Sequence, residues 1–398
     1  MTLVTNKNGA MRIGKNFLVL RPFSACSAEF RTNTDGRFVI FSTGKSELKE
    51  MEDLEGKRQE IPAYCVTGAT GYIGSWLVKI LLERGYKVHA TVRDPAKSLP
   101  LLSSWTGSER LRLFQADLQE EGSFDEAVKG CDGVFHVAAS MKFSVLVNED
   151  VETHVQSHVI DPAIKGTLNL LKACLKSKSV KRVVLTSSIS TITAKDSAGN
   201  WRPFVDESCQ TAVDHVWDTK PTGWIYALSK RLTEEAAFKF AIENGIDLVS
   251  AITSTVAGPF FTLEVPSSIR VLLSPITGDP EFFRILSAVN ARMGSIALIH
   301  IEDICSAHIF LMQQAKVHGR YICCAQNCLM SKLVEHLAEE YPCSNIRAAE
   351  KENNPVPPAI SSKKLIDLGY NYKHGIGDII HQTIASCLDC GFLPRIAE

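Results

Sequence analysis

Tyr226 and Lys230 are the two residues whose types and spacing point most directly to chemistry. Residues four positions apart on a helix project from one face, so the phenol and the ammonium can lie side by side. A phenol, which ionises at a pH of roughly 10, exchanges protons near neutrality only when a nearby cation stabilises its phenolate. The pair therefore predicts general acid–base catalysis, although the same spacing also occurs on helices that merely face solvent.

A hydroxyl group that could orient a substrate carbonyl lies upstream of this pair, in the run Thr186-Ser187-Ser188. The run ends an apolar stretch, residues 182–186, that we predict to be a buried strand. Hydroxyl groups at the end of that strand and a Tyr–Lys pair on a following helix can converge on one reacting group. The sequence thus supplies a candidate proton donor and a candidate group for positioning the carbonyl.

A glycine-rich turn follows the first buried strand of the folded part. Gly68, Gly71 and Gly74 have the spacing G-x-x-G-x-x-G. The first glycine allows a tight turn, the second lets the backbone approach a pyrophosphate, and the third lets the helix pack on the strand. The helix that opens with Tyr72 and Ile73 then offers its N–H groups to the anion. Strand, turn, helix and second strand fall in register, which predicts a dinucleotide-binding site.

The second strand ends at Arg93, where a guanidinium suits the 2′-phosphate of NADP. The neighbouring Asp94 could instead present a carboxylate to the ribose hydroxyls. An acid after the third strand can accept a hydrogen bond from the adenine amine, and small residues after the fourth strand let the backbone pass close to the cofactor. The further residues that we predict to contact NADP(H) are Asp117, Leu118, Val137, Ala138 and Ala139.

Short apolar runs alternate with amphipathic stretches after the first sixty residues. This alternation predicts an α/β fold of the Rossmann type, a doubly wound parallel sheet with a smaller C-terminal substrate-binding lobe. We predict that residues 1–60 form a disordered N-terminal extension. Residues 61–258, joined by 298–325, are predicted to form the NADP-binding domain, and residues 259–297 and 326–398 the substrate-binding lobe.

Composition excludes several classes of protein. The 398 residues carry 43 basic and 44 acidic side chains, and the formal charge of −1 gives no field that would hold nucleic acid or an anionic membrane. No apolar run reaches the length of a membrane span. The 12 cysteines lack the spacing of a zinc site, so we predict no metal. We expect a cytoplasmic protein, or a plastid one if the acid-poor, basic residues 1–50 act as a transit peptide.

The motifs resemble those of the extended short-chain dehydrogenase/reductase superfamily, and within it those of plant dihydroflavonol reductases and anthocyanidin reductases. The similarity extends over residues 61–395 and includes the stretch 291–297, which is similar to a longer loop of the anthocyanidin reductases. The resemblance implies that Ser188 orients the carbonyl, Tyr226 donates the proton and Lys230 binds the nicotinamide ribose. It also implies an NADPH-dependent reductase of a small phenolic molecule, an anthocyanidin or a dihydroflavonol.

Several positions depart from the family pattern and leave other substrates open. Ile189 stands where the family usually has Ala after the serine, Thr193 where dihydroflavonol reductases commonly have Asn, and Thr253 replaces a Pro. The main alternative is an NADPH-dependent reductase of another bulky carbonyl, such as a cinnamoyl thioester, an aromatic aldehyde or a steroid-like ketone. A protein that binds the cofactor without turnover is a third interpretation, but such proteins usually lose the Tyr or the Lys.

Overall fold

The computed structural model describes most of the chain after residue 60 and four short strands before it. The described ranges after residue 60 are 61–102, 104–139, 150–196, 198–342 and 358–395. The four strands pair as two antiparallel hairpins, β1 (Ala10–Ile13) with β2 (Asn16–Val19) and β3 (Glu29–Thr32) with β4 (Phe38–Phe41). The chain divides into two compact units, residues 1–60 and 61–398. The predicted disorder of the first unit concerns residues that lie mostly outside the described ones, and it stays a prediction.

Seven described strands, all parallel, form the central sheet of the second unit. They are β5 (Ala63–Thr67), β6 (Lys87–Val92), β7 (Leu111–Gln115), β8 (Gly133–His136), β9 (Arg182–Ser188), β11 (Leu248–Thr253) and β14 (Gly319–Cys323). Strands β5, β8 and β11 are buried along their whole length, as expected of a sheet covered on both faces. The order across the sheet, β14-β11-β9-β8-β5-β6-β7, confirms the predicted doubly wound parallel sheet.

Two smaller sheets complete the described strands. One has the order β12 (Thr255–Ala257), β13 (Ile296–His300), β15 (Gln326–Cys328), with β12 parallel to β13 and β15 antiparallel to it. The other is a parallel pair of β10 (Phe204–Val205) and β16 (Ala359–Ile360). A single residue separates β11 from β12, so the chain passes directly from the central sheet into this three-stranded sheet.

Helices connect these strands. The described α-helices are α1 (Tyr72–Glu83), α2 (Pro95–Leu102), α3 (Asp125–Val128), α4 (Val151–Val155), α5 (Asp161–Ser177), α6 (Val213–Thr219), α7 (Trp224–Asn244), α8 (Ser267–Thr277), α9 (Pro280–Met293), α10 (Ile301–Gln313), α11 (Met330–Glu340), α12 (Lys363–Ile366) and α13 (Ile376–Asp389). A π-helical turn, Gln156–Ile160, joins α4 to α5. Short 3₁₀ turns lie at Ser108–Arg110 and Ile189–Thr191.

Apolar side chains pack against both faces of the central sheet. On one face α1 and α10 contribute buried residues such as Leu77 and Ile304. On the other face α5 and α7 contribute Leu170 and Ala237. A separate cluster that includes Leu272 fills the space among α8, α9, α11 and α13. None of the described helices is both long enough and apolar enough to cross a membrane.

Candidate active site

The strand order reverses between β5 and β8, and the glycine turn lies at this point. Gly68 has φ +67°, and a Cβ on it would lie 2.9 Å from the Cα of Ala138, just after β8. A Cβ on Gly74 would lie 2.1 Å from the Gly68 carbonyl oxygen. Only glycine fits these two positions, because any side chain would collide with backbone. The two strands therefore end in a tight backbone cradle.

Helix α1 begins directly behind this cradle. Its first backbone bond inside the turn runs from the N–H of Ser75 to the carbonyl of Gly71, at 2.9 Å. The N–H groups of Tyr72 and Ile73 precede that bond and carry the partial positive charge of a helix N-terminus. A pyrophosphate fits such a site, since nothing larger than hydrogen projects from the glycines around it.

A buried hydrogen-bond network fixes the end of β8 to the end of β5. The Thr67 hydroxyl accepts bonds from the N–H groups of Val137, at 3.1 Å, and Ala138, at 3.0 Å. Its own hydrogen then points to Nδ1 of His136, 2.9 Å away, so His136 carries its proton on Nε2 and donates to the Thr167 hydroxyl at 3.1 Å. Burial, with the Lys230 charge as a smaller cause, lowers the pKa of His136 to about 3. The imidazole is therefore neutral at physiological pH.

The predicted adenosine end of the site lies past β6 and β7. The Asp94 carboxylate accepts a bond from the Lys97 N–H at 3.2 Å and pairs with the Lys97 ammonium, 3.4 Å away, so it caps α2. These contacts lower the pKa of Asp94. Arg93 is exposed. The Asp117 carboxylate accepts from the Gln119 N–H at 2.8 Å. Asp94 is thus held by its own helix, while Arg93 faces solvent at the end of β6.

Tyr226 and Lys230 lie in the first two turns of α7 and face the ends of β8 and β9. The Lys230 ammonium donates to the Thr186 carbonyl at 3.4 Å. A small cavity opens between α7 and the two strands, and its lining includes Leu118, Ala138, Ala139, Ser187, Tyr226 and Lys230. The structure therefore brings together predicted residues from four separate stretches of sequence. The cradle at Gly68 adjoins the same cavity through Ala138.

The two serines at the end of β9 have different surroundings. The Ser187 hydroxyl lines the cavity, is buried, and has no hydrogen-bond partner among the described residues. The Ser188 hydroxyl accepts a bond from the Ser190 N–H at 3.2 Å, which leaves its hydrogen as a donor. Ser188 is 8% exposed. The position of the predicted carbonyl-orienting group is thus fixed by the 3₁₀ turn that begins beside it.

The family of the chain follows from its sequence match. Residues 64–324 match the NAD dependent epimerase/dehydratase family, a span that contains the glycine cradle, both serines, Tyr226 and Lys230. The chain belongs to this family. The central sheet and the cradle at its switch point are those expected of a family that binds a nicotinamide dinucleotide.

Relatives of this family member include plant flavonoid reductases. A Ginkgo biloba protein named "Putative anthocyanidin reductase" is 47% identical over 325 residues, covering 80% of this chain and 92% of its own. A dihydroflavonol 4-reductase of Arabidopsis thaliana is 42% identical, covering 83% of both chains. The anthocyanidin reductase ((2S)-flavan-3-ol-forming) of Vitis vinifera is 40% identical, covering 80% of this chain and 93% of its own. These matches confirm the resemblance drawn from the motifs.

Solved structures agree with the fold. Vestitone reductase from alfalfa has a TM-score of 0.67 and 32% identity, covering 83% of this chain and 99% of that one. Yeast methylglyoxal/isovaleraldehyde reductase Gre2, solved with NADPH, has a TM-score of 0.64 at 22% identity and shares the fold. Together with the family match, the relatives identify an NAD(P)-dependent oxidoreductase of the extended short-chain dehydrogenase/reductase type.

Sequence reasoning missed part of this family member's site. Thr67, His136 and Thr167 were not among the predicted residues, although they hold the two strand ends together. One feature of the sequence could have identified Thr67 and His136. Each is the polar last residue of an otherwise apolar strand, which is the edge where ligands of an open α/β sheet bind. Ser187 was named only as an alternative to Ser188, and it is the one that lines the cavity.

Proposed function

We propose that this protein is an NADPH-dependent reductase of a flavonoid-type substrate, an anthocyanidin or a dihydroflavonol. The observation that carries the proposal is the convergence of Tyr226 and Lys230 with Ala138 and Ala139 in one cavity at the switch point of the sheet. A proton donor and the place for a nicotinamide ring then share one wall. The names of the plant relatives, at 40% to 47% identity, support the choice of substrate.

NADPH, when bound, supplies a hydride to the substrate carbon. The residues that would hold it are the cradle Gly68, Gly71 and Gly74 with the first N–H groups of α1 at the pyrophosphate, and Asp117 with Leu118 at the adenine. Arg93 would take the 2′-phosphate. Asp94 caps α2, which supports this assignment. A carboxylate already bonded to Lys97 is poorly placed to accept hydrogen bonds from the ribose hydroxyls.

Three side chains of this protein act at the carbonyl oxygen of the substrate, which gains a proton in the reaction. The Ser188 hydroxyl would donate to the substrate carbonyl and orient it, a role that follows from the family resemblance; it accepts from the Ser190 N–H and keeps its hydrogen as a donor, while its neighbour Ser187 lines the cavity. Tyr226 gives its phenolic proton to that oxygen as negative charge develops there. The Lys230 ammonium stabilises the resulting phenolate and binds the nicotinamide ribose. His136 also lines the cavity, and because its imidazole is neutral it adds no charge there.

The experiment that tests the proposal is NADPH oxidation by the full chain against a panel of anthocyanidins, dihydroflavonols, cinnamoyl thioesters, phenolic aldehydes and a steroid ketone. We expect turnover with at least one of the two flavonoid classes. In Tyr226→Phe the rate should fall by roughly 10²–10⁴-fold. Faster turnover of a thioester, an aldehyde or the steroid would move the function to the alternative class. NADPH binding without turnover of any member would identify a binding protein.

We infer that the reaction takes place in the cytoplasm, with the plastid as the alternative if residues 1–50 are a transit peptide. A fluorescent protein carrying residues 1–50 at its N-terminus, imaged in plant cells, separates the two. Diffuse cytoplasmic signal is expected, and plastid import would reject the inference.

A further inference from the structure

Arg320 joins three segments that surround the proposed catalytic groups. It lies on β14, at the register position of Ser250 on β11, and its side chain is 11% exposed. One terminal nitrogen, Nη2, lies 3.0 Å from the Glu234 carboxylate and donates to the Thr191 hydroxyl at 2.8 Å. The other, Nη1, donates to the carbonyl of Glu207 at 2.7 Å. The guanidinium thus contacts α7, the turn after β9, and the chain between β10 and α6.

The contact with Thr191 continues to Ser188. Thr191 is fully buried, and its hydroxyl accepts from Arg320 and donates to the Ser188 carbonyl at 2.9 Å. Thr191 ends the 3₁₀ turn whose second residue, Ser190, gives its N–H to the Ser188 hydroxyl at 3.2 Å. The backbone and the side chain of Ser188 are therefore both bonded to this turn, and Arg320 bonds the turn to β14.

The contact with Glu234 reaches the helix of the proposed proton donor. Glu234 follows Lys230 by four residues and Tyr226 by eight on α7, and all three line the cavity. The Glu234 side chain is 3% exposed; one carboxylate oxygen faces Arg320, and the other accepts from the Ser250 hydroxyl. A buried ion pair contributes little net stability, because removing both charges from water offsets their attraction. The geometry that the pair imposes is the better explanation for it.

We propose that Arg320 is a positioning residue for the reduction and acts through Thr191 on Ser188. The inference rests on the proposed function, which gives the substrate carbonyl to Ser188. The carbonyl-orienting hydroxyl and the Tyr–Lys pair lie on separate elements, a strand end and a helix, and Arg320 is bonded to both. A displacement of about 1 Å at a reacting group can lower a rate by roughly 100-fold, so a fixed distance between the two elements matters.

A double-mutant cycle on the full chain tests the inference, with kcat measured for the panel member that is reduced fastest. Arg320→Lys keeps a cation beside Glu234 but loses the planar, two-nitrogen set of contacts. It should lower kcat by roughly 10- to 100-fold and leave KM within about threefold. Ser188→Ala should lower kcat by roughly 10²–10³-fold. The double variant should lie within about threefold of Ser188→Ala, because a positioning residue has no effect once the group that it positions is gone.

A second variant and a control separate this role from general support of the fold. Thr191→Val deletes only the connecting hydroxyl, and it should behave as Arg320→Lys does in both backgrounds. Ser274→Ala is the matched control, because its hydroxyl is also fully buried and donates to a backbone carbonyl, that of Val271, at 2.7 Å. It should cost similar stability in urea unfolding and leave kcat within about threefold.

Three results would overturn the inference. An unchanged kcat in Arg320→Lys and Thr191→Val would mean that these bonds do not position Ser188. An unchanged kcat in Ser188→Ala would remove the group that Arg320 is inferred to position. Equal fold-losses in the natural and the Ser188→Ala backgrounds would mean that Arg320 supports the fold as a whole.

The proposed function fails separately. If the substrate that is reduced fastest is not a flavonoid, the substrate assignment is rejected, and the cycle on that substrate still decides the role of Arg320. If no carbonyl of the panel is reduced, hydrogen exchange of residues 186–193, measured by mass spectrometry, decides whether Arg320 anchors the turn. Arg320→Lys should speed exchange in that segment, and unchanged exchange would reject the anchoring.

Discussion

The two walls of the cavity differ in how their polar groups are satisfied. On the cofactor wall, which consists of Thr67, His136, Val137, Ala138 and Thr167, each of the polar groups described above has a partner within the protein. On the substrate wall, which consists of the end of β9 and the turn after it, the hydroxyls of Ser187 and Ser190 are buried without partners among the described residues, and Ser187 lines the cavity. The polar groups of the first wall are satisfied within the folded chain, whereas the second retains unpaired hydroxyl groups.

This difference indicates which parts of the protein determine cofactor binding and which determine substrate binding. The cofactor wall is rigid because its hydrogen bonds are internal to the fold, so any dinucleotide meets the same preorganised surface. On the substrate wall, a ligand that accepts a hydrogen bond from the Ser187 hydroxyl would recover the cost of leaving that group unpaired. Cofactor binding should therefore depend on the fold, and substrate choice on side chains that line the cavity beside Tyr226, Ser187 among them.

The largest expected effect concerns the proposed proton donor, Tyr226. Tyr226→Phe keeps the ring and removes the hydroxyl, so kcat should fall by roughly 10²–10⁴-fold, the usual contribution of general acid–base catalysis. The Kd for NADPH should stay within about threefold, because the cofactor wall is untouched. Single-turnover kinetics and fluorescence titration measure the two quantities. Near-full turnover with the chemical step limiting would remove Tyr226 from the mechanism.

A pair of substitutions tests the contrast between the walls directly. Thr67→Val deletes the hydroxyl that serves two backbone N–H groups and His136, and we expect it to lower the free energy of unfolding by roughly 2–5 kcal/mol. Ser190→Ala deletes a hydroxyl with no partner among the described residues, so stability should change by less than about 0.5 kcal/mol. Urea unfolding of both variants measures these values. Similar losses for the two would contradict the contrast.

A substitution at Arg93 tests the choice between NADPH and NADH. Arg93→Ala should weaken NADPH by roughly 10- to 150-fold, because a charge-assisted contact to the 2′-phosphate is lost. NADH carries no such phosphate, and its Kd should move by less than about threefold. Asp94→Asn is the control, since Asp94 caps α2 and should not affect NADH. A protein that prefers NADH, with an unchanged Arg93 variant, would reverse the assignment.

Acid should destabilise the fold through its buried histidines, His136 of the cofactor wall among them. The pKa of His136 is lowered from the ordinary value of 6.5 to about 3 by burial, so the unfolded chain binds a proton below pH 6.5 that the folded chain does not. Its contribution is complete above that pH and falls as the pH drops toward 3, by about 1.4 kcal/mol per pH unit. His300 and His308, each with its pKa lowered to about 4 by burial, add to the same trend.

The measurement is the free energy of unfolding at pH 7 and pH 5 for the natural chain and for His136→Gln. The natural chain should lose stability over this interval, and the variant should lose about 2 kcal/mol less, because its side chain does not titrate. An identical pH dependence in both proteins would mean that His136 is accessible to protons in the folded state.

Local patterns predicted the cofactor side well and the substrate side poorly. The glycine cradle, the strands around it and the Tyr–Lys pair are set by residues close in sequence, so spacing alone indicated them. The bonds among Thr67, His136 and Thr167 join positions on three separate elements, and no local pattern specifies such partners. The end of α9 meets the turn after β9 through the bond from the Ala194 N–H to the Arg292 carbonyl, and this contact between distant segments depends on tertiary packing.

The most direct test of the central claim is the fate of the cofactor's hydrogen. The full chain is given a flavonoid substrate and NADPH with deuterium at the transferable position of the nicotinamide, and the product is examined by mass spectrometry. We predict one deuterium on the reduced carbon, formed in step with NADPH oxidation and slowed strongly in Tyr226→Phe. A product without cofactor deuterium, or cofactor oxidation that Tyr226→Phe leaves unchanged, would contradict the account.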